Sequence, residues 1–385
     1  MNLKEVKEIR RRFSLNKDSI SHIYGCYVNA AKEIVTTIDM PVGLMEQEEG
    51  EMYLKILKKG ISGNLGRNLV ELPFSTAQVE NSDEHRLLQA LRQSQLRDAG
   101  LRDALYQRII ESLNLGDESY VILLAFDSYD VPYKTGNDEI FDEGSAEVFD
   151  YFVCAICPVK DAKSALRYTS EEKTFRSAST GHLISPPAVG FMFPTFDNRM
   201  ANIYSTLYYS KDLMDIHEEL ITGLFNLENI PMAAGLQQNT FGTVLADALH
   251  GECSLEVVQA VHGEIREKLE FHKESKDVEV PEIYVEDVGD ILKKNGVSEE
   301  KITAFHQSCQ QQFGNAGVLN PSNLMETKSF ELNTADVKIK VAPDCAESIQ
   351  TRVIDGIKYI LIPVGEGVVV NGIDIDIKGD ESAHE

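Results

Sequence analysis

No stretch of this chain is apolar for long enough to cross a bilayer as a helix. The longest apolar runs, Val121–Phe126 and Tyr151–Cys157, fall far short of the ~20 residues such a helix needs. The first residues, MNLKEVKEIRRRF, lack the apolar centre of a secretory signal, so a soluble, cytoplasmic protein is expected. Cysteine is sparse. Six in 385 residues do not make a disulfide framework and read as free thiols, several of them buried. Cations are outnumbered, with 37 Lys and Arg against 62 Asp and Glu and a formal net charge of −25. That balance favours solubility and opposes general attraction to nucleic acid or an anionic membrane. The charge is uneven, however: Lys4, Lys7, Arg10, Arg11, Arg12 and Lys17 crowd the N-terminal segment against only Glu5 and Glu8.

Motifs with a known mechanism are also missing. There is no P-loop, no H-E-x-x-H, no G-x-S-x-G, and no G-x-G-x-x-G opening a helix after a strand. Cys154 and Cys157 form a C-x-x-C, but inside a strand pattern, where positions i and i+3 point to opposite faces and the thiols diverge. No second C-x-x-C completes a zinc site. His250, Cys253 and His262 offer ligand types without a standard spacing. The Asp374–Gly379 stretch imitates a calcium loop but has Lys378 at the third ligand position and no closing Glu. No cofactor and no metal are therefore expected.

What is present is a mixed pattern of elements. Leu3, Val6, Ile9 and Phe13 sit at helical spacing, Ile20–Val28 alternates as a strand, and Glu46–Lys59 reads as a helix stopped by Gly60, a residue that tolerates positive φ. Asp83–Leu113 is a long helical pattern: if continuous it puts Leu87, Leu91, Leu101, Leu105 and Ile109 on one apolar side, and Gly100 is the point where it could be interrupted. Tyr120–Asp130 and Glu147–Lys160 are strands of one sheet flanking the acidic loop Gly136–Gly144. Both are apolar on both faces, which predicts a sheet covered on both sides. Further strands are expected over Gly190–Phe196 and Asn202–Ser210, with a turn at Asp197–Arg199. Helices follow over Phe241–His250, Leu255–His272, Val285–Lys294 and Glu299–Phe313. The last two are separated by Asn295–Ser298, with Gly296 capping one and Ser298 the other. That pair has a helix–turn–helix outline, but the second helix carries one Lys against two Glu and reads as a packing partner, not as a base reader. Ser329–Val341 alternates, and a hairpin is expected between Ile357–Pro363 and Val368–Ile377 about Gly365–Gly367.

The expected fold class is α+β: a central mixed or antiparallel sheet flanked by helices, a helical middle segment and a C-terminal β-hairpin region. The expected divisions are a core domain over 1–230, a helical segment over 231–315, and a β region over 316–385 with a short disordered tail.

Three groups of residues are candidates for binding. Asp197, Asn198 and Arg199 follow an apolar strand and bring an acid, an amide and a guanidinium together on a turn. Arg67 and Asn68 end the glycine-bearing loop Ser62–Asn68, where a guanidinium could hold a carboxylate or phosphate. Arg86, Arg97 and Arg108 recur at equal spacing, and on one continuous helix they would form a stripe about 33 Å long. Each has a plainer alternative: an Asp–Arg pair closing its own turn, a tight connector, and a solvated helix face.

Three blocks give the chain a wider resemblance: Ile20–Val28 with Ile61–Phe74, Phe149–Lys160 leading to Gly190–Asp212, and Thr351–Asp374. Together they resemble a family of low-GC Gram-positive bacterial proteins, the domain-of-unknown-function family 4317. The order of elements is also similar to bacterial nucleoid-associated proteins of the 37-kDa class. These resemblances imply a non-enzymatic cytoplasmic binding protein with a protein or nucleic-acid partner and no membrane partner. Two alternatives stand beside it: an enzyme of unrecognised type using Asp197, Arg199 and Arg67, and an interaction module that works through its acidic surfaces.

Overall fold

The computed structural model describes residues 1–134, 140–161, 166–171, 173–177, 181–227, 229–314, 317–365 and 367–376. Two compact units divide it. The first contains Met1–Gln237 with Asp277–Val280, and the second contains Gln238–Lys276 with the chain from Pro281 onward.

The first unit is built on an antiparallel sheet of eight strands: β1 (His22–Val28), β2 (Ile34–Pro41), β3 (Leu69–Pro73), β4 (Ser119–Lys134), β5 (Ile140–Asp161), β6 (His182–Ile184), β7 (Val189–Phe193) and β8 (Ser205–Ser210). Their order across the sheet is β2-β1-β4-β5-β7-β8-β3, and β6 pairs with the end of β5. The long β4–β5 hairpin forms the middle, with Ile122 opposite Ile156 and Phe126 opposite Phe152. The expected acidic loop Gly136–Gly144 falls partly within this hairpin, and its residues 136–139 lie outside the described residues.

Helices cover both faces, which explains the uninterrupted apolar strands. On one face, α3 (Asp83–Gln93), α4 (Ala99–Ser112) and α5 (Glu218–Phe225) pack Leu88, Leu105, Ile109 and Leu224 over Ile122, Phe152, Cys154 and Phe191. On the other, α1 (Leu3–Arg10) and α2 (Gln47–Lys59) pack Val6, Ile9, Leu54 and Leu57 over Leu123, Val153, Ala155 and Cys157. Cys154 and Cys157 thus lie in different cores, and both are fully buried.

Two expectations for these helices need correction. Asp83–Leu113 is not one helix. The chain breaks at Gln95 and Leu96, which take φ of 55° and 62°, and α4 starts only at Ala99, capped by Asp98. Leu96 is fully buried, so tertiary packing holds the break. Gly60 does end α2, but with φ of −61°. A glycine stands there because α2 touches the sheet: a Cβ on Gly60 would lie 3.1 Å from the Ala155 Cβ.

The second unit packs helices. Ala234–Ala248, most of which lies in this unit, and α6 (Leu255–Ser275), α7 (Val285–Lys294) and α8 (Glu299–Phe313) enclose Phe241, Val261, Ile265, Leu292 and Phe305. Gly296 takes φ of 81° after α7, as a terminating glycine does. Ser298 precedes α8 but makes no side-chain cap. Its hydroxyl donates to Glu252 at 3.0 Å instead. Ile302, Phe305 and Cys309 of α8 face the core. The final hairpins differ from expectation. Gln350–Ile354 pairs with Ile357–Leu361, and Val368–Val370 pairs with Ile373–Ile375. Their turns are Asp355-Gly356 and Asn371-Gly372, all four residues at positive φ, the conformation a two-residue hairpin loop demands. The expected tail after Lys378 lies outside the described residues.

Candidate functional site

The Asp197–Arg199 turn is the loop of a short hairpin joining Thr195–Asp197 to Met200–Asn202. Asn198 and Arg199 adopt φ of 50° and 62°, and helix α1 holds them there. Asn2 caps α1 and Glu5 completes the box by accepting the Asn2 N–H at 2.8 Å. The other Glu5 carboxylate oxygen accepts the Arg199 backbone N–H at 3.3 Å. The Arg199 guanidinium donates to both oxygens of Glu8, at 2.9 and 2.7 Å, and to the Pro132 carbonyl at 2.9 Å. Asp197 is 3.6 Å from the Met1 amino group. The Asp197–Arg199 pair expected within the turn is not made among the described residues.

A second charged group extends this network under α1. Arg12 donates twice to Asp127, at 2.8 and 2.9 Å, and the Tyr151 hydroxyl donates to the same carboxylate at 2.9 Å. Asp127 is only 1% exposed, so its charge depends on these partners. Burial, reinforced by Asp127, pushes the Tyr151 phenol well above its usual range. Burial and the hydrogen bond to Glu8 push Tyr129 up to about 12. The hydrogen bond to Asp127 outweighs burial and raises Arg12. Every strong donor in this cluster has an acceptor, which suits an anchor for α1 and leaves little for a ligand.

The other two expected groups are dispersed. Asn68 accepts the Asn64 N–H at 2.8 Å and its side chain packs against Gly63, so it closes its own loop. Arg67 lies beside it with a buried Nε that has no hydrogen-bond partner among the described residues. Arg86 pairs with Asp83 on the exposed side of α3, and Arg108 reaches from α4 to Glu84 on α3 at 2.7 Å. Arg97 sits in the connection between the two helices. The three arginines do not form a stripe on one helix.

A site that the sequence reading passed over lies where α1 and α2 end. Lys55, Lys58 and Lys59 recur at i, i+3 and i+4 on α2, a spacing that gathers side chains on one side of a helix. Arg10 joins them from the last turn of α1. With Ser62 and the apolar Ile56, Ile184, Pro186 and Pro187, they line a cavity of about 510 Å³. The segment that carries Pro186 and Pro187 is pinned to β5: Ser185 donates its N–H to the Pro158 carbonyl at 2.8 Å, and Ala188 donates to the Ile156 carbonyl at 2.9 Å. None of the four cations joins an ion pair or side-chain hydrogen bond among the described residues, and the Arg10 Nε is buried without an acceptor. Lys58 and Lys59 also complement the negative end of α2, and Arg10 that of α1, but Lys55 has no such role.

Asp215, His217 and Glu219 bring three ligand-type atoms within 4.8 Å of one another. Asp215 accepts the His217 backbone N–H at 2.7 Å, and Glu219 accepts that of Asn114 at 3.3 Å. The cluster sits at the N-terminus of α5, whose positive end disfavours a cation.

A family match covers residues 1–373, and the chain belongs to the family described as domain of unknown function DUF4317. No curated protein matches it. The family description assigns no activity. Among the described residues, no helix is long and apolar enough to cross a membrane.

Proposed function

We propose that this protein is a non-enzymatic binding protein whose first unit captures an anionic group in the Arg10–Lys55–Lys58–Lys59 pocket. One observation carries this reading. In a chain with 62 acids against 37 Lys and Arg, four cations line one cavity and none has an acidic partner among the described residues. Elsewhere Arg12, Arg108, Arg199, Lys268 and Lys293 all pair with carboxylates. Like charges gathered without counter-ions repel, and an anionic ligand relieves that repulsion.

The ligand follows from the walls. A guanidinium and three ammonium groups suit a phosphate or carboxylate. Ile56, Ile184, Pro186 and Pro187 suit an apolar body attached to it. A long polyanion such as duplex DNA would run from this pocket over a surface whose total charge opposes it. Arg199 and its neighbours are consumed in anchoring α1, which argues against an enzyme built on that turn.

Isothermal titration with inorganic phosphate, phenyl phosphate and benzoate tests the reading. Phenyl phosphate should bind tightest, and its affinity should fall as salt rises from about 0.05 M to about 0.5 M. A Lys55→Glu, Lys58→Glu, Lys59→Glu variant should remain folded and lose binding. If none of the three anions binds at low salt, the reading fails.

A further inference from the structure

We propose that the second unit holds a separate site for a small neutral molecule with an apolar body and a hydroxyl head. The site is a cavity of about 460 Å³ lined by residues of that unit alone, within the range of small-molecule pockets, about 300–1,000 Å³. Its body is apolar: Phe241, Leu245, Leu255, Val258 and Leu324 line it.

Two polar side chains in the lining have capacity to spare. Ser329 is 5% exposed, and its hydroxyl has no hydrogen-bond partner among the described residues. Buried hydroxyls are normally satisfied, so an unpartnered one beside a cavity points to a partner that occupies the cavity. His262 is 3% exposed, with Nε2 3.0 Å from the Glu326 carbonyl. A carbonyl oxygen can only accept, so Nε2 carries the hydrogen and Nδ1 of the neutral ring keeps its lone pair. The ring is held edge-on to Phe330, with centroids 5.2 Å apart. An alcohol or phenol answers both: its O–H donates to His262 Nδ1 and its oxygen accepts from Ser329.

The charge of the lining selects against an acid. Glu326 and Glu331 belong to the same wall. The Glu326 carboxylate accepts the Lys328 N–H at 2.9 Å, and Glu331 pairs with Lys338 and Lys340. The two lysines offset Glu331, but Glu326 has no cation partner among the described residues, so a carboxylate-headed analogue of the same shape should be disfavoured. This site therefore asks for the opposite chemistry to the basic pocket, and its fate is independent of that proposal.

Cys253 lines the cavity and is exposed, which supplies a reporter. In full-length protein carrying Cys345→Ser, Cys253 is the one exposed thiol among the described residues. Its alkylation by iodoacetamide is followed with and without 4-tert-butylphenol, and with the matched 4-tert-butylbenzoate. The phenol should slow alkylation and give a saturable calorimetric binding curve. The benzoate should bind at least about tenfold more weakly. Ser329→Ala should weaken phenol binding several-fold without lowering the melting temperature, because it removes an unsatisfied group. Leu245→Trp, which fills the cavity, should abolish protection. Absence of protection at millimolar phenol overturns the proposal. So does benzoate binding as tightly as the phenol, or a folded Ser329→Ala protein that binds the phenol like the parent.

Discussion

Gly190 in β7 faces the end of α2 so closely that a Cβ on it would lie 2.7 Å from the Gly60 Cα and closer still to the Gly60 carbonyl oxygen. Two glycines, far apart in sequence, let a helix terminus rest directly on a strand. Lys58 and Lys59, at the end of the same helix, line one cavity with Pro186 and Pro187.

We predict that Gly190→Ala destabilises the protein by about 2–3 kcal/mol, the upper part of the usual overpacking range, because backbone and not a side chain must move. Urea unfolding measures it. The variant should also weaken anion binding, since α2 must shift. A loss under about 0.5 kcal/mol would mean that the helix end yields freely.

How far these contacts were legible in the sequence differs from residue to residue. Tyr151–Cys157 announced a sheet covered on both faces, because a half-exposed strand would have alternated. Gly60 was legible as a helix end, but not as a point of contact, since the residue it spares from a clash lies in a strand far along the chain. The break at Gln95 and Leu96 was invisible because neither residue resists a helix locally; burial of Leu96 imposes it. Asp355-Gly356 and Asn371-Gly372 carried the stronger turn signal, which the glycines at 365 and 367 drew attention away from. The Lys55, Lys58 and Lys59 spacing was readable on α2, whereas Arg10 reaches the same cavity only through the packing of two helices on one sheet face.

Arg199→Ala should cost about 2 kcal/mol, measured by thermal or urea unfolding. The pair is neither an exposed one, worth ~0.2–1 kcal/mol, nor a fully buried one, where breaking costs about 3–5 kcal/mol. The side chains of Arg199 and Glu8 are 25% and 18% exposed. Arg199→Lys should not restore stability, because one ammonium cannot reach Glu8 and the Pro132 carbonyl together. Anion binding by the basic pocket should survive in both variants. A silent Arg199→Ala would contradict the anchoring role.

Acid should weaken the α3–α4 contact. Burial alone would raise Glu84, but the hydrogen bonds from Arg108 and from the backbone prevail and hold it below its ordinary 4.5. A carboxylate depressed in the folded state contributes stability above its unfolded pKa and loses it as pH falls through the folded value. The parent should therefore lose stability more steeply than Glu84→Gln below about pH 4.5, and the two should run parallel between pH 6 and 8. Parallel curves throughout would show that the ion pair contributes nothing.

Native-state thiol labelling should divide the cysteines. Burial pushes Cys26, Cys157 and Cys309 up to about 12 and Cys154 well above its usual range, and all four are buried. Thiolate is the reactive form. Burial raises Cys253 as well, but Cys253 and Cys345 are exposed, so Cys345 should react with iodoacetamide within minutes at pH 7.5, Cys253 more slowly, and denaturant should release the rest. Mass spectrometry identifies the modified peptides. Fast labelling of Cys154 or Cys157 in folded protein would contradict the two-sided burial of the central strands.

The last expectation separates charge from geometry in the basic pocket. Arg10 brings a planar fork of donors, one of which, Nε, is buried with no acceptor among the described residues. Lys59 is exposed on α2 and brings a point charge. If a bound phosphate or carboxylate completes the Arg10 fork, Arg10→Lys should weaken phenyl phosphate binding by about tenfold although the net charge is unchanged. Lys59→Arg should change it by less than about threefold, because an exposed charge acts at a distance that salt screens. Titration calorimetry at low ionic strength reads both. If the two substitutions prove equally mild while the triple charge reversal abolishes binding, the pocket attracts anions by potential alone and Arg10 holds no ligand atom.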